Sequence, residues 1–401
     1  MNLTGIITEY NPFHNGHLHH LTEAKKCSGC DGVVCIMSGN FVQRGGPALV
    51  DKWQRTAMAL NNGVDLVIEL PVYYAVSSAE FFAHGAVSIL NSLGVINNIF
   101  FGSECGNADV LFKIAQVLVN EPPSFKDSLK EHINSGLTYA KARENALIEY
   151  FNDDEISTVV SSSNNILGIE YIKSIIRLNS NITPMTLKRE GAGYNEKELH
   201  TSFSSATSIR EKIREGNSLK FLKKEMPLES FKILDNLEKS GYKFSFDEDM
   251  FIYLKYLLTT NCVNFNNLSE VIEGLDKKII KEIINSSSYH EFILNIKSKR
   301  YTYSKISRIL THIYLGFYKE NLSLINMDNF HYARVLGFNN KGREILSLIK
   351  ANSSIPLITK VPRYNTNPLL DLDLSATRAY SILNPSVNPN SDYLISPIIK
   401  K

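Results

Sequence analysis

Short apolar runs alternate with amphipathic stretches through the first two hundred residues of this chain, and this restricts its fold more than any other feature. Residues 3–8, 32–37, 65–69 and 98–101 are apolar runs of strand length. Residues 17–26, 51–61 and 78–93, lying between them, carry helical apolar spacing. A further strand and helix are expected at 183–188 and 205–214. Strands and helices alternating at this spacing predict an α/β fold, with a parallel sheet covered by helices on both faces. Ligands on such a sheet bind beyond the carboxyl ends of the strands, so the residues just after each strand are where a site belongs.

Other segments read as helical. One stretch is expected over 107–150 and another over 164–178. Beyond them the chain looks mainly helical, with 3.6-residue spacing at 231–237, 250–258, 268–284, 303–317 and 342–351. We place a boundary between an α/β domain over 1–218 and a mainly helical domain over 219–401. The Asn384-Pro385 and Asn388-Pro389 pairs predict an irregular tail.

At 401 residues each part is long enough to bury its own core. A hydrophobic share of 43% excludes a disordered chain, and 22 glycines are too few for a collagenous one. The net charge of +2 seems at first to argue against a polyanionic partner, but it conceals an asymmetry. Residues 1–200 hold 15 basic and 21 acidic side chains, whereas residues 201–401 hold 28 and 20. A basic second half suits either a phosphate-rich partner or a set of solvated Lys-rich helices.

Cys27, Cys30, Cys35, Cys105 and Cys262 are too sparse for a disulfide framework. Cys27 and Cys30 have no second pair with which to complete a zinc site, and no protein-built metal centre is expected. Residues 81–103 lack acidic and basic side chains, but His84, Asn91, Asn97 and Asn98 interrupt them. They fall short of a membrane span, and the N-terminus lacks the pattern of a secretory leader. Reduced thiols in a cytoplasmic protein without a membrane partner are the expectation.

The most informative segment follows the first apolar run, where Asn11-Pro12-Phe13-His14-Asn15-Gly16-His17 joins a strand to a helix. Gly16 lets the backbone approach a ligand. The helix start is expected to offer free N–H groups to a phosphate. His14 and His17, three residues apart, can face one space and stabilise charge that develops during nucleotidyl transfer. These residues resemble the H-x-G-H motif of the nucleotidylyltransferase superfamily, which includes class I aminoacyl-tRNA synthetases and pantetheine-phosphate adenylyltransferases. Residues 204–210 (SSATSIR) resemble the I-S-S-T-x-I-R segment of the adenylyltransferases. There Ser205, Thr207 and Arg210 would hold phosphates. Read without that likeness, the segment is a Ser/Thr cap on an ordinary helix. No K-M-S-K-S segment is present, which speaks against a synthetase.

A closer resemblance covers more of the chain. Segments 5–17 (GIITEYNPFHNGH), 37–44 (MSGNFVQR), 50–53 (VDKW), 63–71 (GVDLVIELP), 101–104 (FGSE), 165–171 (NILGIEY) and 188–194 (KREGAGY) together resemble the bacterial tRNA-Met cytidine acetate ligase family. The likeness is dense to about residue 200 and looser through 308–316, 334–341 and 375–378. It implies a Rossmann-like parallel-sheet nucleotidyltransferase (HUP-type) domain followed by a mainly helical domain. It also implies a ligase that modifies tRNA. Acetate and ATP give acetyl-adenylate and pyrophosphate. The N4 amine of the wobble cytidine of elongator tRNA-Met then takes the acetyl group, forming N4-acetylcytidine. ATP and acetate are the implied small substrates, with Mg²⁺ accompanying ATP, and acetyl-CoA is not used.

Carried over by position, the ATP-binding loop comprises Ile7, Thr8, Glu9, Tyr10, Asn11, Pro12, Phe13, His14, Asn15, Gly16, His17, Leu18, His19 and His20. Gly102, Asn165 and Arg189 match further ATP contacts: a glycine against the nucleotide, an amide toward adenine or ribose, and a cation toward phosphate. His14 and His17 would be catalytic. Gln43 and Arg44 stand at the ligand edge for acetate or phosphate or, equally, in a surface loop, and Glu104 is a candidate to act through Mg²⁺ or, equally, a helix-start carboxylate. The resemblance would place an acidic residue second in the Gly45-Gly46 pair, so this chain departs from it there.

Between 295 and 345 nine basic residues face three acidic ones, with Tyr301, Tyr303, Tyr314 and Phe338 interleaved. Lys297, Lys299, Arg300, Lys305, Arg308, Arg334, Lys341 and Arg343 are the candidate tRNA contacts. Basic residues among aromatics suit backbone contact and base stacking, and equally suit an amphipathic helix over a core. Two other readings remain at this point. An adenylyltransferase of small metabolites shares both motifs but needs no basic helical half. A non-catalytic nucleotide- and RNA-binding module has no need of His14 and His17.

Overall fold

The computed structural model describes residues 1–189, 204–268, 271, 274–298, 300–319, 332–364 and 367–401. Five parallel strands form the expected sheet: β1 (Leu3–Thr8), β2 (Gly32–Ser38), β3 (Leu66–Leu70), β4 (Asn98–Ser103) and β5 (Thr183–Lys188). Three more come from the second half: β6 (Ala333–Phe338), β7 (Leu357–Ile358) and β8 (Ile398–Ile399). The order is β5-β4-β1-β2-β3-β6-β7, with β8 also paired to β6. β6 runs antiparallel to β3. The sheet therefore does not end at the 218/219 boundary, because the chain returns to it after its helical excursion.

The pleat sends alternate side chains to opposite faces. In β2, Val34 and Ile36 join a core with Leu66, Ile89, Leu90 and Ile172. Val33, Cys35 and Met37 face the other way, onto Leu21, Met58, Ala59 and Ile209. Both faces are thus covered, which explains why β2 and β3 are buried along their whole length. A third core lies among the later helices, around Leu254, Ile279, Phe292, Ile306 and Leu310. Phe41 and Val72, from the loops after β2 and β3, insert into it and tie the two halves together.

The stretch expected as one helix over 107–150 is three helices, Ala108–Asn120, Pro123–Asn134 and Tyr139–Phe151. Pro122 and Pro123 cannot continue the first, and Gly136 at φ +89° turns the chain after the second. The helix expected from 268 begins at Leu275, after Gly274 at φ +84°. All five cysteines are free thiols. Among the described residues no helix is long and apolar enough to cross a membrane.

β1 lies between β2, which follows it in sequence, and β4, which comes later. This change of winding direction opens a crevice at the carboxyl ends of β1 and β4.

Candidate functional site

The loop that leaves β1 fills that crevice. Tyr10 is buried at φ +46°, and the Asn11-Pro12 bond is cis. Phe13 is fully buried, and His14 caps the helix Asn15–Ser28. The cap is reciprocal. His14 Nδ1 accepts from the Gly16 N–H at 3.0 Å, and His17 Nδ1 accepts from the His14 N–H at 3.3 Å. Two imidazoles thus play the parts usually taken by Ser and Glu in a capping box. Their rings stack with centroids 3.7 Å apart and 26° between planes.

That geometry determines their protonation. Each Nδ1 is an acceptor, which assigns the proton to Nε2 on both rings. Burial, and then the charges of Arg189 and Arg210, lower His14 to about 4. Burial also holds His17 well below its usual value, with His14 and His20 adding to the effect. Both rings are therefore neutral at pH 7, although a hydrogen bond to the Pro12 backbone pulls His17 the other way. His20 is lowered to about 4 by burial, and its Nε2 is sealed without a partner, against Phe100. His19 is half-buried one residue earlier on the same helix.

The helix start itself corrects an expectation. Its first N–H groups are already used: Asn15 N–H donates to Glu225 O, Gly16 N–H to His14 Nδ1, and His17 and Leu18 N–H to His14 O. The Asn15 amide donates to Lys224 O at 2.8 Å, which locks the loop to the second half. The first four N–H groups of this helix are therefore committed within the protein.

Arg210 arrives from the second motif. Ser205 caps the helix Ala206–Arg214, accepting from the Ser208 N–H at 3.1 Å. One turn on, Arg210 Nη1 donates to Asn11 O at 2.8 Å and Nη2 to Thr207 Oγ1 at 3.2 Å. Arg189 follows β5, where its N–H donates to Ser103 O at 2.9 Å. Its exposed guanidinium has no hydrogen-bond partner among the described residues. A Cβ at Gly102 would stand 3.2 Å from Arg189 Cγ, so the glycine opens a path for that side chain across the end of β4.

Asn165 and Glu104 form a clamp. Asn165 Oδ1 accepts from the N–H of Glu104 at 2.8 Å and of Cys105 at 3.1 Å. The Glu104 carboxylate accepts from Asn165 N–H at 2.8 Å, Asn164 N–H at 3.2 Å and Asn164 Nδ2 at 2.7 Å. Two accepted bonds fix the orientation of the Asn165 amide, in a residue that is 1% exposed. Glu104 places both oxygens on the start of the helix Ser163–Arg177, the helix-start carboxylate that was one of its two readings. Among the described residues no group of three or more His, Cys, Asp or Glu is placed to hold a metal.

Gln43 donates its N–H to Glu9 Oε1 at 2.8 Å, and Arg44 beside it is exposed. Two residues that pattern reading missed organise these loops. Arg55 is fully buried and donates to Glu9 O at 2.8 Å, Ser38 O at 2.9 Å, Gly39 O and Val50 O. Asp247 places its carboxylate where a Gly46 side chain would lie. Arg55 sits two residues beyond the VDKW segment, but nothing local marks a buried cation that binds carbonyls of three other segments.

The candidate RNA contacts fare unequally. Lys297, Arg300 and Arg343 are exposed, and Lys305, Arg308 and Lys341 are partly so. Lys299 lies outside the described residues. Arg334 does not belong with them: it is 3% exposed in β6, with Nη2 3.0 Å from Asp392 Oδ1 and Nη1 3.5 Å from Glu69 Oε2. The helix Tyr303–Leu315, which carries Lys305 and Arg308, packs on the loop at Gly45. Ser307 Oγ donates to Gly45 O at 3.2 Å, and a Cβ at Gly45 would stand 2.5 Å from the Arg308 backbone nitrogen.

Comparison with known proteins places this geometry in a context. A family model described as HIGH Nucleotidyl Transferase matches residues 1–393. A tRNA(Met) cytidine acetate ligase of Clostridium novyi (strain NT) is 50% identical over 402 residues, covering 100% of both chains. The protein of that name from Clostridium perfringens (strain SM101 / Type A) is 52% identical over 410 residues, again covering 100% of both. The crystal structure of Thermotoga maritima TmcAL bound with alpha-thio ATP superposes with a TM-score of 0.91 at 36% identity, covering 100% of this chain and 99% of that one.

Proposed function

The chain belongs to the HIGH nucleotidyl transferase family and sits among its tRNA(Met) cytidine acetate ligases, and on that footing we propose that it activates acetate with ATP and acetylates tRNA. One observation carries the reading. Two motifs nearly two hundred residues apart meet at 2.8 Å, where Arg210 binds Asn11 O beside the stacked His14 and His17. That convergence makes a seat for a triphosphate. The resemblance to a TmcAL structure bound with alpha-thio ATP supports ATP as its occupant.

In this reading Asn165 Nδ2 donates to the adenosine end. Arg189 and Arg210 bracket the phosphates, and the Nε2–H groups of His14 and His17 face the α-phosphate. An acetate oxygen attacks that phosphorus, and pyrophosphate leaves. The two imidazole donors and the arginines stabilise the charge that gathers on the equatorial oxygens. Neutral donors suit this step, because they need no proton exchange as that charge builds. Among the described residues no group of three or more His, Cys, Asp or Glu is placed to hold a metal, and we assign Mg²⁺ to the ATP phosphates.

In the second step the N4 amine of a cytidine attacks the acetyl carbon. The amine loses one proton and AMP departs as the leaving group. The wobble cytidine of elongator tRNA-Met is the base we assign, and it must leave its stack to reach the crevice. Lys297, Arg300, Lys305, Arg308, Lys341 and Arg343 are the residues we assign to the RNA backbone. The names of the relatives favour this reading over a small-metabolite adenylyltransferase.

The test is direct. The protein is incubated with ATP, labelled acetate and tRNA, and the RNA is digested to nucleosides. Label in N4-acetylcytidine is expected, without acetyl-CoA. Label absent from RNA, together with no acetate-dependent pyrophosphate release, would sink the proposal.

A further inference from the structure

Arg55 lies on the helix Lys52–Asn61 and is fully buried. The β1–β2 pairing ends with Thr8 opposite Met37. One residue further on, Arg55 Nη1 donates to Glu9 O at 2.8 Å and to Ser38 O at 2.9 Å, so a single nitrogen bridges the two strand exits. Nη2 donates to Gly39 O, and Nε to Val50 O at 3.1 Å. Burying a cation is costly, and here four carbonyls offset that cost.

Three of those carbonyls belong to the two ends of one loop. Ser38 and Gly39 lead into residues 39–50, and Val50 leads out of them. The loop is also closed on itself. Ala48 N–H donates to Asn40 O at 2.9 Å, Val42 N–H to Gly46 O at 3.1 Å and Gly45 N–H to Val42 O at 2.9 Å. A loop braced in this way moves as a unit, so the place of its base fixes the place of its tip. The tip carries Gln43 and Arg44, and Gln43 N–H reaches Glu9 Oε1 at 2.8 Å. Beyond Glu9, the loop that leaves β1 is held by other bonds, from Arg210 to Asn11 O and from Asn15 to Lys224 O. We propose that Arg55 is a positioning residue for acetate: by holding both ends of the 39–50 loop against the exit of β1, it sets where Gln43 and Arg44 meet the acetate carboxylate in adenylate formation. The proposal rests on the adenylation reading above. The planar fork is what matters, since a lysine ammonium cannot reproduce bonds that leave three nitrogens in three directions.

Arg55→Lys keeps the charge and breaks the fork. In acetate-dependent ATP–pyrophosphate exchange its acetate KM should rise roughly ten- to hundredfold. The ATP KM should stay within about twofold of wild type, and kcat at saturating acetate should be largely retained. Arg55→Met keeps the bulk, loses every donor and sheds the buried charge, and its acetate KM should rise at least as far. Ile349→Ala, in the core beneath the helix Asn340–Asn352, supplies the comparison. It should lower the thermal midpoint and leave both KM values alone. An unchanged acetate KM in a folded Arg55 variant would overturn the proposal. So would equal rises in both KM values, a loss confined to kcat, or the same acetate KM rise in Ile349→Ala. If neither Arg55 variant folds, the residue is structural and the proposal also fails. Wild-type protein without acetate-dependent exchange would take down the reaction reading itself, before any variant is compared.

Discussion

Two charge clusters, one beside β3 and one beside the loop that leaves β1, follow opposite rules. In the first Lys52 is fully buried, with Nζ 2.7 Å from Glu69 and 2.8 Å from Asp392. Arg334 completes that cluster on the same two carboxylates. In the second Arg210 rests on a carbonyl and a hydroxyl, Arg189 has no bonded partner among the described residues, and two histidines are held neutral. The first cluster closes on itself and ties β3, β6 and the Ser391–Leu394 turn into one body. The second leaves donors uncommitted, and a chain retains such a cluster where a ligand supplies the missing anion.

The sharpest way to break this contrast is to open the closed cluster. Asp392→Ala leaves Lys52 and Arg334 with Glu69 alone, and should cost about 3–5 kcal/mol in denaturant unfolding. Its specific exchange rate, per folded molecule, should hold. Next in size is His17→Ala, which should lower acetate-dependent exchange by about 10²–10³ while leaving tRNA binding and most stability in place. A comparable loss of tRNA binding would contradict this division of labour.

A pH series sharpens the same contrast. His14 sits near 4 in the folded protein against 6.5 as a free group. Between those values the unfolded chain binds the extra proton, so stability rises with pH across the window and is lost as pH falls from 6.5 toward 4. The thermal midpoint followed over that range should decline more steeply in wild type than in His14→Gln. The smallest expected effect is that of Lys305→Ala, which should weaken tRNA binding a few-fold and reduce the salt slope by about one. An unchanged salt slope would remove Lys305 from the RNA surface.

Much of this site was legible in residue order. All five parallel strands fall at or within a residue or two of their expected places. His14 and His17 share one space, as a three-residue spacing at a helix start allows. The free helix terminus was misread, because the same histidines that promise chemistry also consume the N–H groups as caps. For Glu104 the sequence leaves a ligand role and a helix-start carboxylate open, and the structure shows the carboxylate at a helix start. Arg334 sat in a basic, aromatic-rich stretch and read as surface, yet the β6 strand that carries it inserts beside β3.

What the sequence alone determined was local: a two-residue period for the strands, a 3.6-residue period for the helices, and a loop whose short spacing forces two imidazoles together. These follow from backbone geometry within a few residues, so no partner needs to be known. The tertiary structure decided which charges are paired. Lys52 becomes structural through Asp392, Arg210 reaches the β1 loop through Asn11, and Asp247 enters the vacancy at Gly46. Each of those outcomes depends on chain segments some two hundred or more positions apart, where burial in a shared low-dielectric interior sets the cost of an unpaired charge, and no local pattern records it.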